Sequence, residues 1–224
     1  MTTASGPSAG PPQAGPSPLG EPAAGHRGRG VPVTHLLYLH GFRSSPQSTK
    51  ARKMAAWVAQ HRPQVVWSCP QLPPSPRRAI VDVDAVIADW PKDRIGVIGS
   101  SLGGYYATAV AERTGCRAVL LNPAVEPVRD LAGFIGETTA WHSDERFHFE
   151  PAFIDELRAL RMPALTRPER YLAIIAKGDE VLSWREMQAR YRDANVKLID
   201  GSDHALSDFD THLPDVVHFL GLDR

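Results

Sequence analysis

Six short apolar runs alternate along this chain with segments of helical periodicity, and this alternation limits the possible folds more than any other feature. Most of the runs are rich in Val, Ile and Leu, as expected for strands that are covered on both faces. Alternating strands and helices predict a parallel sheet wrapped by helices. The predicted strands are Thr34–Leu39, Val65–Cys69, Ile95–Ile98, Ala118–Leu121, Tyr171–Ala176 and Val196–Ile199.

Helical patterns separate most of these strands and follow the last one. The chain has 224 residues, of which 42% are apolar, and this is enough to bury one sizeable core. We therefore expect a single α/β domain over residues 31–224, with about six strands. The predicted helices are Lys50–Gln60, Arg78–Asp89, Leu102–Thr114, Arg185–Asp193 and Leu213–Leu220.

Two segments depart from this alternation of strands and helices. Residues 1–30 are mostly Pro, Gly, Ala and Ser and bury too little apolar surface to offset their ordering entropy, so we expect a disordered tail. Residues 126–170 are too long for a simple connection and carry several aromatic residues and one helical pattern, Phe153–Leu160. We expect this segment to be a small cap over the sheet edge. It either bounds a substrate pocket or only covers the core.

Composition excludes several classes of function. Acidic and basic residues balance at 25 each, so no net field attracts nucleic acid. No apolar stretch reaches transmembrane length, and no secretory signal pattern is present, which leaves the cytoplasm as the expected location. Cys and His do not show metal-ligand spacing, and Cys69 and Cys116 are expected to be buried small hydrophobes rather than a disulfide. We expect no cofactor or metal.

The strongest chemical signal is the pentapeptide Gly99–Gly103, which reads G-x-S-x-G between a predicted strand and a predicted helix. In that context the motif is a nucleophile elbow, whose sharp turn requires glycine two residues before and two after the serine. This spacing selects Ser101, not Ser100, as the nucleophile. Ser101 then lies at a helix start, where the N–H of Leu102 is a predicted oxyanion donor.

A serine nucleophile needs an imidazole base that is oriented by a carboxylate, and in this fold class the chain order is serine, acid, histidine. Among the histidines after Ser101, only His204 sits in a turn that follows a late strand. Asp179 follows the preceding strand and is the predicted acid, with Glu180 as the rival. Turn hydrogen bonds explain Asp200 and Asp203 better.

The turn after the first strand, His40-Gly41-Phe42, is suited to supply the second oxyanion donor, the N–H of Phe42. Glycine there lets the backbone approach the substrate. His40 precedes the serine, against the usual order, and is interpreted as a residue that orders the loop. Each of these features is common alone. All of them in order, each at the carboxyl end of a strand, indicate one site.

At these residues the sequence resembles the YqiA-like family of small bacterial esterases. The resemblance extends from about Leu36 to the C-terminus, although 126–170 match only loosely. The matching stretches are Leu37–Phe42 with Ser44–Pro46, Pro70–Pro74, Gly96–Ala107, Asn122–Val125, Gly178–Leu182, and His204-Ala205 with Phe209.

The resemblance implies a compact α/β-hydrolase that lacks the first two strands of the larger fold. It also implies a serine esterase that acts on short acyl esters or acyl-CoA thioesters, small-molecule substrates, with Ser101, Asp179 and His204 as its triad. Two alternatives keep this fold: an acyltransferase, and a catalytically silent binding module. The intact triad argues against the second.

Overall fold

The computed structural model describes residues 1–2, 31–139 and 146–223. The expected disordered tail lies almost entirely outside these residues. The folded unit begins at Val31. Its strands are β1 (His35–Leu39), β2 (Val66–Ser68), β3 (Ile95–Ser100), β4 (Arg117–Leu121), β5 (Gly136–Thr139), β6 (Arg146–Phe149), β7 (Tyr171–Ala176) and β8 (Asn195–Ile199).

Within residues 31–139 and 146–223, seven α-helices connect these strands or follow them, with single 3-10 turns at Lys92–Arg94, Ala132–Phe134 and Pro168–Arg170. Most helices begin at Pro or directly after Ser, residues that suit a helix start. The helices are α1 (Thr49–His61), α2 (Pro76–Ile87), α3 (Leu102–Thr114), α4 (Pro127–Asp130), α5 (Pro151–Ala159), α6 (Trp184–Arg190) and α7 (Phe209–Leu220).

Six strands form one parallel sheet in the order β2-β1-β3-β4-β7-β8, and β5 and β6 pair antiparallel as a separate hairpin. The register aligns Leu39 with Gly99, and Ser100 with Leu121, so the carboxyl ends of the central strands meet at one edge. Ligand sites of open α/β sheets lie at this edge. The predicted fold class is confirmed.

Alternate residues of the strands enter two separate cores, one on each face of the sheet. Leu36 and Tyr38 face the core that is shared with α1 and α7, whereas Leu37 and Leu39 face the core that is shared with α2, α3 and α6. Because successive side chains point to opposite faces and both faces carry a core, these strands read as continuous apolar runs.

The predicted cap contains the hairpin, α4 and α5. The sequence analysis found α5 but not the hairpin, whose two strands have only four residues each. The hairpin packs on the turn after β1, where the Phe42 ring lies edge-on to three phenylalanines at centroid distances of 5.3–5.9 Å: Phe134, Phe147 and Phe149.

Three further expectations can be compared with the structure. β3 continues two residues past the predicted end, and α7 begins four residues before its predicted start, with Pro214 inside it. Cys69 and Cys116 are both free cysteines; Cys116 is buried as expected, whereas Cys69 is only partly buried. In the described part of the chain, no helix has the length and apolar character needed to cross a bilayer.

Candidate active site

Ser101 lies at the junction of β3 and α3 in a strained backbone conformation. Its φ of 54° and ψ of −122° fall outside the regions that non-glycine residues ordinarily adopt. A side chain on Gly99 would place a Cβ 2.2 Å from the carbonyl oxygen of Gly103, and one on Gly103 would lie 2.0 Å from that of Leu39. The turn therefore needs both glycines, as the motif predicts. Strain of this kind is concentrated at functional sites.

Backbone hydrogen bonds hold this turn. The N–H of Ser101 donates to the carbonyl of Leu121 at 3.0 Å, and its own carbonyl accepts from the N–H groups of Gly104 and Ala124 at 2.8 and 3.0 Å. The serine is thereby anchored to the end of β4 as well as to its own helix.

The imidazole of His204 lies between the side chains of Ser101 and Asp179. Its Nε2 is 3.1 Å from the Ser101 Oγ, and its Nδ1 is 2.8 Å from the Asp179 Oδ2. The three predicted residues come from turns after β3, β7 and β8, and the fold brings all of them together. The His204 side chain is 22% exposed, so the imidazole is accessible from solvent.

Asp179 is held in place by the turn that follows β7. Its side chain is completely buried, and its Oδ1 accepts from the N–H groups of Val181 and Leu182 at 2.8 and 2.7 Å. Glu180, the rival acid, instead accepts from the backbone N–H of His204 at 3.0 Å. The neighbouring carboxylates therefore differ in what they contact: one binds the ring, the other the main chain.

Asp200 and Asp203 do not contact the imidazole ring. Asp203 accepts from the N–H and hydroxyl of Ser207, and these bonds lower the pKa of its carboxyl. The exposed Asp200 pairs with Lys177 at 2.5 Å. The expectation of turn hydrogen bonds is confirmed for Asp203 and wrong for Asp200, whose side chain reaches an adjacent loop.

The turn after β1 lies directly against Ser101. A Cβ added to Gly41 would be 3.1 Å from the Cβ of Ser101. Among the residues that the structure describes, the N–H groups of Phe42 and Leu102 donate to no main-chain carbonyl. They are thus available for an oxyanion, although their assignment to that role remains a prediction.

His40 is buried and bridges two loops. Its Nε2 accepts from the N–H of Leu72 at 3.0 Å, so Nδ1 carries the proton and donates to the carbonyl of Gly41 at 2.9 Å. Burial lowers the pKa of His40, which favours this neutral form. These contacts support the interpretation that His40 orders the loop.

A cavity of about 320 Å³ opens beside this turn. Its walls include Phe42, Leu72, Leu102, Tyr106 and Phe147, so the cap hairpin contributes one side. Both residues whose N–H groups are the predicted oxyanion donors line it. Protein sites for small ligands range from about 300 to 1,000 Å³, which places this cavity at the small end.

Two residues at the site were missed by sequence reasoning. Asn122 follows β4 and hydrogen-bonds to the main chain around His204. Lys50, in the first turn of α1, donates to the carbonyl of Ala205 and lies near Asp179 and Asp203. Burial lowers the pKa of Lys50 to about 8. A polar residue at the end of a buried strand was the available signal for Asn122.

No group of His, Cys, Asp and Glu residues suited to hold a metal ion occurs within 31–139 and 146–223.

Solved structures with the same fold include several esterases. Est1E from Butyrivibrio proteoclasticus, solved with ferulic acid bound, superposes with a TM-score of 0.67 at 15% identity over 86% of this chain and 89% of that chain. The α/β-hydrolase domain-containing protein 10 from mouse gives 0.63 at 16% identity over 83% and 90%. An esterase from Pyrococcus furiosus gives 0.57 at 18% identity over 85% and 82%. At these identities the likeness shows the α/β-hydrolase fold.

A family model described as uncharacterised protein family UPF0227 matches residues 35–221, nearly the whole folded unit. This is the family in which YqiA-like proteins are grouped, so the resemblance found in the sequence is confirmed. The chain belongs to UPF0227 and has the α/β-hydrolase fold that its motif spacing predicts.

Proposed function

We propose that this protein is a serine esterase or thioesterase in which Ser101 is the nucleophile, His204 the base and Asp179 the orienting acid. One observation carries the proposal: the two hydrogen-bond distances of 3.1 and 2.8 Å that join the hydroxyl, the imidazole and the carboxylate in sequence. A hydroxyl within hydrogen-bond reach of a base that is itself oriented by a third group is the arrangement that nucleophilic catalysis requires.

The proposed reaction begins when His204 Nε2 takes the proton of Ser101 and Oγ attacks the carbonyl carbon of an ester or thioester. The N–H groups of Leu102 and Phe42 bind the resulting oxyanion. Collapse breaks the bond to the alcohol or thiol, which leaves with the proton from His204. Water, deprotonated by His204, then attacks the acyl-enzyme and releases the acid and free Ser101.

Hydrogen bonds to both oxygens fix the orientation of the Asp179 carboxylate in this cycle. Two backbone N–H groups bind Oδ1, and the remaining oxygen accepts from Nδ1–H of His204. A buried carboxylate with these partners keeps the imidazole in the tautomer whose Nε2 can accept a proton, and it stabilises the imidazolium that forms.

The size of the cavity indicates that the part of the substrate bound there is a small acyl or alcohol group. Its volume of about 320 Å³ suits a short aliphatic or a single-ring group, and its walls combine aromatic and aliphatic side chains with polar ones from Arg43, Ser44 and Gln71. Est1E binds ferulic acid in a related fold. We therefore include a feruloyl ester beside short aliphatic esters and acyl-CoA thioesters as candidate substrates.

The test is hydrolysis of p-nitrophenyl acetate, butyrate and octanoate, a feruloyl ester and short acyl-CoA thioesters by the wild type, Ser101→Ala and Ser100→Ala. Ser100 is a matched control because it is buried beside Ser101 but has no place in the mechanism. We expect Ser101→Ala to lose at least about 10³-fold in kcat, and Ser100→Ala to retain the wild-type order of magnitude.

Three outcomes would contradict the proposal. Full activity in Ser101→Ala would exclude this nucleophile. Transfer to an added alcohol that outpaces hydrolysis would favour an acyltransferase. Absence of turnover on every substrate, with a folded protein, would favour a binding module.

A further inference from the structure

Asn122 is a buried polar residue that the proposed mechanism does not use. It follows β4 directly, is fully buried, and has a φ of 43°, which is uncommon for a residue with a side chain. Its amide makes three hydrogen bonds. The Oδ1 accepts from the N–H of Ala176 at 2.8 Å, and the Nδ2 donates to the carbonyls of Asp203 and His204 at 3.0 and 3.2 Å.

These two carbonyls lie on either side of the His204 Cα. The N–H between them is also bound, because it donates to Glu180. The peptide groups before and after His204 are therefore held by side chains from two other segments of the chain. When both flanking peptide planes are fixed, the direction of the Cα–Cβ bond is fixed too. Only the two side-chain torsions of His204 then remain free. The hydrogen bonds from the ring to Asp179 and Ser101 fix these torsions.

Asn122 and its neighbour Leu121 also contact the segments that carry Asp179 and Ser101. Ala176, which donates to the Asn122 Oδ1, ends the strand that leads into Asp179. Leu121, immediately before Asn122, accepts the N–H of Ser101. Asn122 thus lies where the segments of the nucleophile, the acid and the base meet.

We propose that Asn122 is a positioning residue that holds the main chain of His204 so that its imidazole is aligned with Ser101. This inference rests on the proposed function. Precise alignment matters because a displacement of about 1 Å between reacting groups can lower a rate about 10²-fold. An amide is suited to the task since it donates to two carbonyls and accepts from an N–H with one planar group.

The chain contains a control that matches the hydrogen-bond pattern of Asn122 but is exposed rather than buried. Asn195, at the start of β8, also donates from Nδ2 to two main-chain carbonyls, those of Glu169 and Tyr171, at 3.3 and 2.9 Å. It lies at the amino end of its strand, opposite the edge that carries Ser101. Replacing either asparagine by aspartate keeps the shape and removes the two donated bonds. Only the change at Asn122 is expected to affect the chemistry.

The experiment measures the rate of labelling by a fluorophosphonate probe, and kcat and KM for p-nitrophenyl acetate, in Asn122→Asp, Asn195→Asp and wild type. All assays are run at a temperature where circular dichroism shows each protein folded. We expect Asn122→Asp to lower the labelling rate and kcat about 10- to 100-fold with little change in KM, and Asn195→Asp to change them less than about 2-fold. Equal effects of the two substitutions would overturn the proposal.

A second variant separates loss of the amide from the added charge and from misfolding. Asn122→Gly removes the side chain, and glycine adopts a positive φ without strain. It is expected to show the same loss in kcat. If neither variant folds, the amide serves the fold rather than the alignment of the base, and the proposal is wrong.

The variants are also combined with His204→Ala to test whether Asn122 acts through the histidine. Once the imidazole is gone, substitution of Asn122 is expected to reduce the residual hydrolysis less than about 2-fold, because interacting residues are not additive. A loss of full size in that background would indicate a general structural effect and would overturn the proposal. Absence of labelling in the wild type would instead contradict the proposed function itself, and the role of Asn122 with it.

Discussion

At the scale of single residues, two adjacent carboxylates illustrate how neighbours in sequence acquire different roles. Asp179 is completely buried and hydrogen-bonds to the imidazole, whereas the exposed Glu180 binds the backbone N–H of His204. The turn after β7 directs the shorter side chain inward, where two backbone N–H groups donate to its Oδ1.

Substitution of each carboxylate by its amide tests this division. Asp179→Asn should lower kcat by about 10³- to 10⁴-fold, because an amide neither favours the required imidazole tautomer nor stabilises the imidazolium. Glu180→Gln retains an oxygen that can accept from the His204 N–H and should cost less than about 10-fold. Steady-state kinetics on p-nitrophenyl acetate provides the measurement. The reverse order would assign the acid to Glu180.

Lys50 makes the stability of the fold depend on pH. Burial lowers its pKa to about 8 in the folded protein, against about 10.4 for a lysine in the unfolded chain. Below pH 8 both states carry the charge, and the folded state bears the cost of desolvating it. As the pH rises through 8, the folded protein loses this proton before the unfolded chain does, so the contribution of Lys50 to stability increases.

We therefore predict that any gain in the free energy of unfolding from Lys50→Met, relative to wild type, decreases as the pH rises from 7 to 10. Methionine carries no titrating group, so the variant lacks the increase that Lys50 contributes to the wild type. Urea denaturation at several pH values gives the difference between the two proteins. A difference that is constant or grows with pH would show that Lys50 is not desolvated.

At the scale of elements, the junction of β3 and α3 determines where the nucleophile lies. A side chain on Gly103 would be 2.0 Å from the carbonyl oxygen of Leu39 and 2.6 Å from that of His40, both main-chain atoms at the end of β1. Such atoms cannot move without disturbing the sheet or the predicted oxyanion turn. The geometry of the site therefore requires that α3 approaches the end of β1 this closely, which only glycine at position 103 allows.

Gly103→Ala is predicted to lower the free energy of unfolding by about 3 kcal/mol or more, because overpacking a tight contact is strongly destabilising. Gly133→Ala is the control, since an added Cβ there meets no atom within 4 Å. A surface change of that kind should stay within about 0.5 kcal/mol. Chemical denaturation of both variants provides the comparison, and similar values would contradict the packing described for α3.

The elements also show what could be predicted from sequence. The central strands β1, β3, β4 and β7 were found because burial on both faces makes them mostly apolar, whereas the edge strands β2 and β8 are partly exposed. The hairpin was missed because its four-residue strands are partly exposed and pack on a turn that is distant in sequence. The start of α7 was placed four residues too late, at Leu213. Phe209 is buried at the helix start and extends the helix before Pro214.

At the scale of the whole molecule, the parallel sheet gathers residues that are about 100 positions apart, because its strands end at a common edge. This is why Ser101, Asp179 and His204 could be predicted together from motif, order and strand ends. Lys50 could not, since hydrogen bonds to main-chain groups leave no spacing rule in the sequence, and for Asn122 the signal was only a polar residue at the end of a buried strand. Their roles depend on which loops the fold places side by side.

The tail provides a prediction at this scale. The family match begins at residue 35, and residues 1–30 contain few large apolar side chains that could join a core. Deletion of residues 1–30 should therefore leave Tm within about 2 °C of the full-length protein and kcat unchanged. Differential scanning fluorimetry and ester hydrolysis are the measurements. A large fall in either would show that the tail packs on the folded unit.

The central claim is that one hydroxyl, at the strained turn before α3, becomes acylated during catalysis. The most direct measurement is mass spectrometry of peptides from the wild-type protein after reaction with a fluorophosphonate probe. The account predicts a single covalent adduct, located on Ser101, whose formation is prevented when His204 is replaced by alanine. An adduct on Ser100 or on any other residue, or undiminished labelling of the His204→Ala protein, would contradict it.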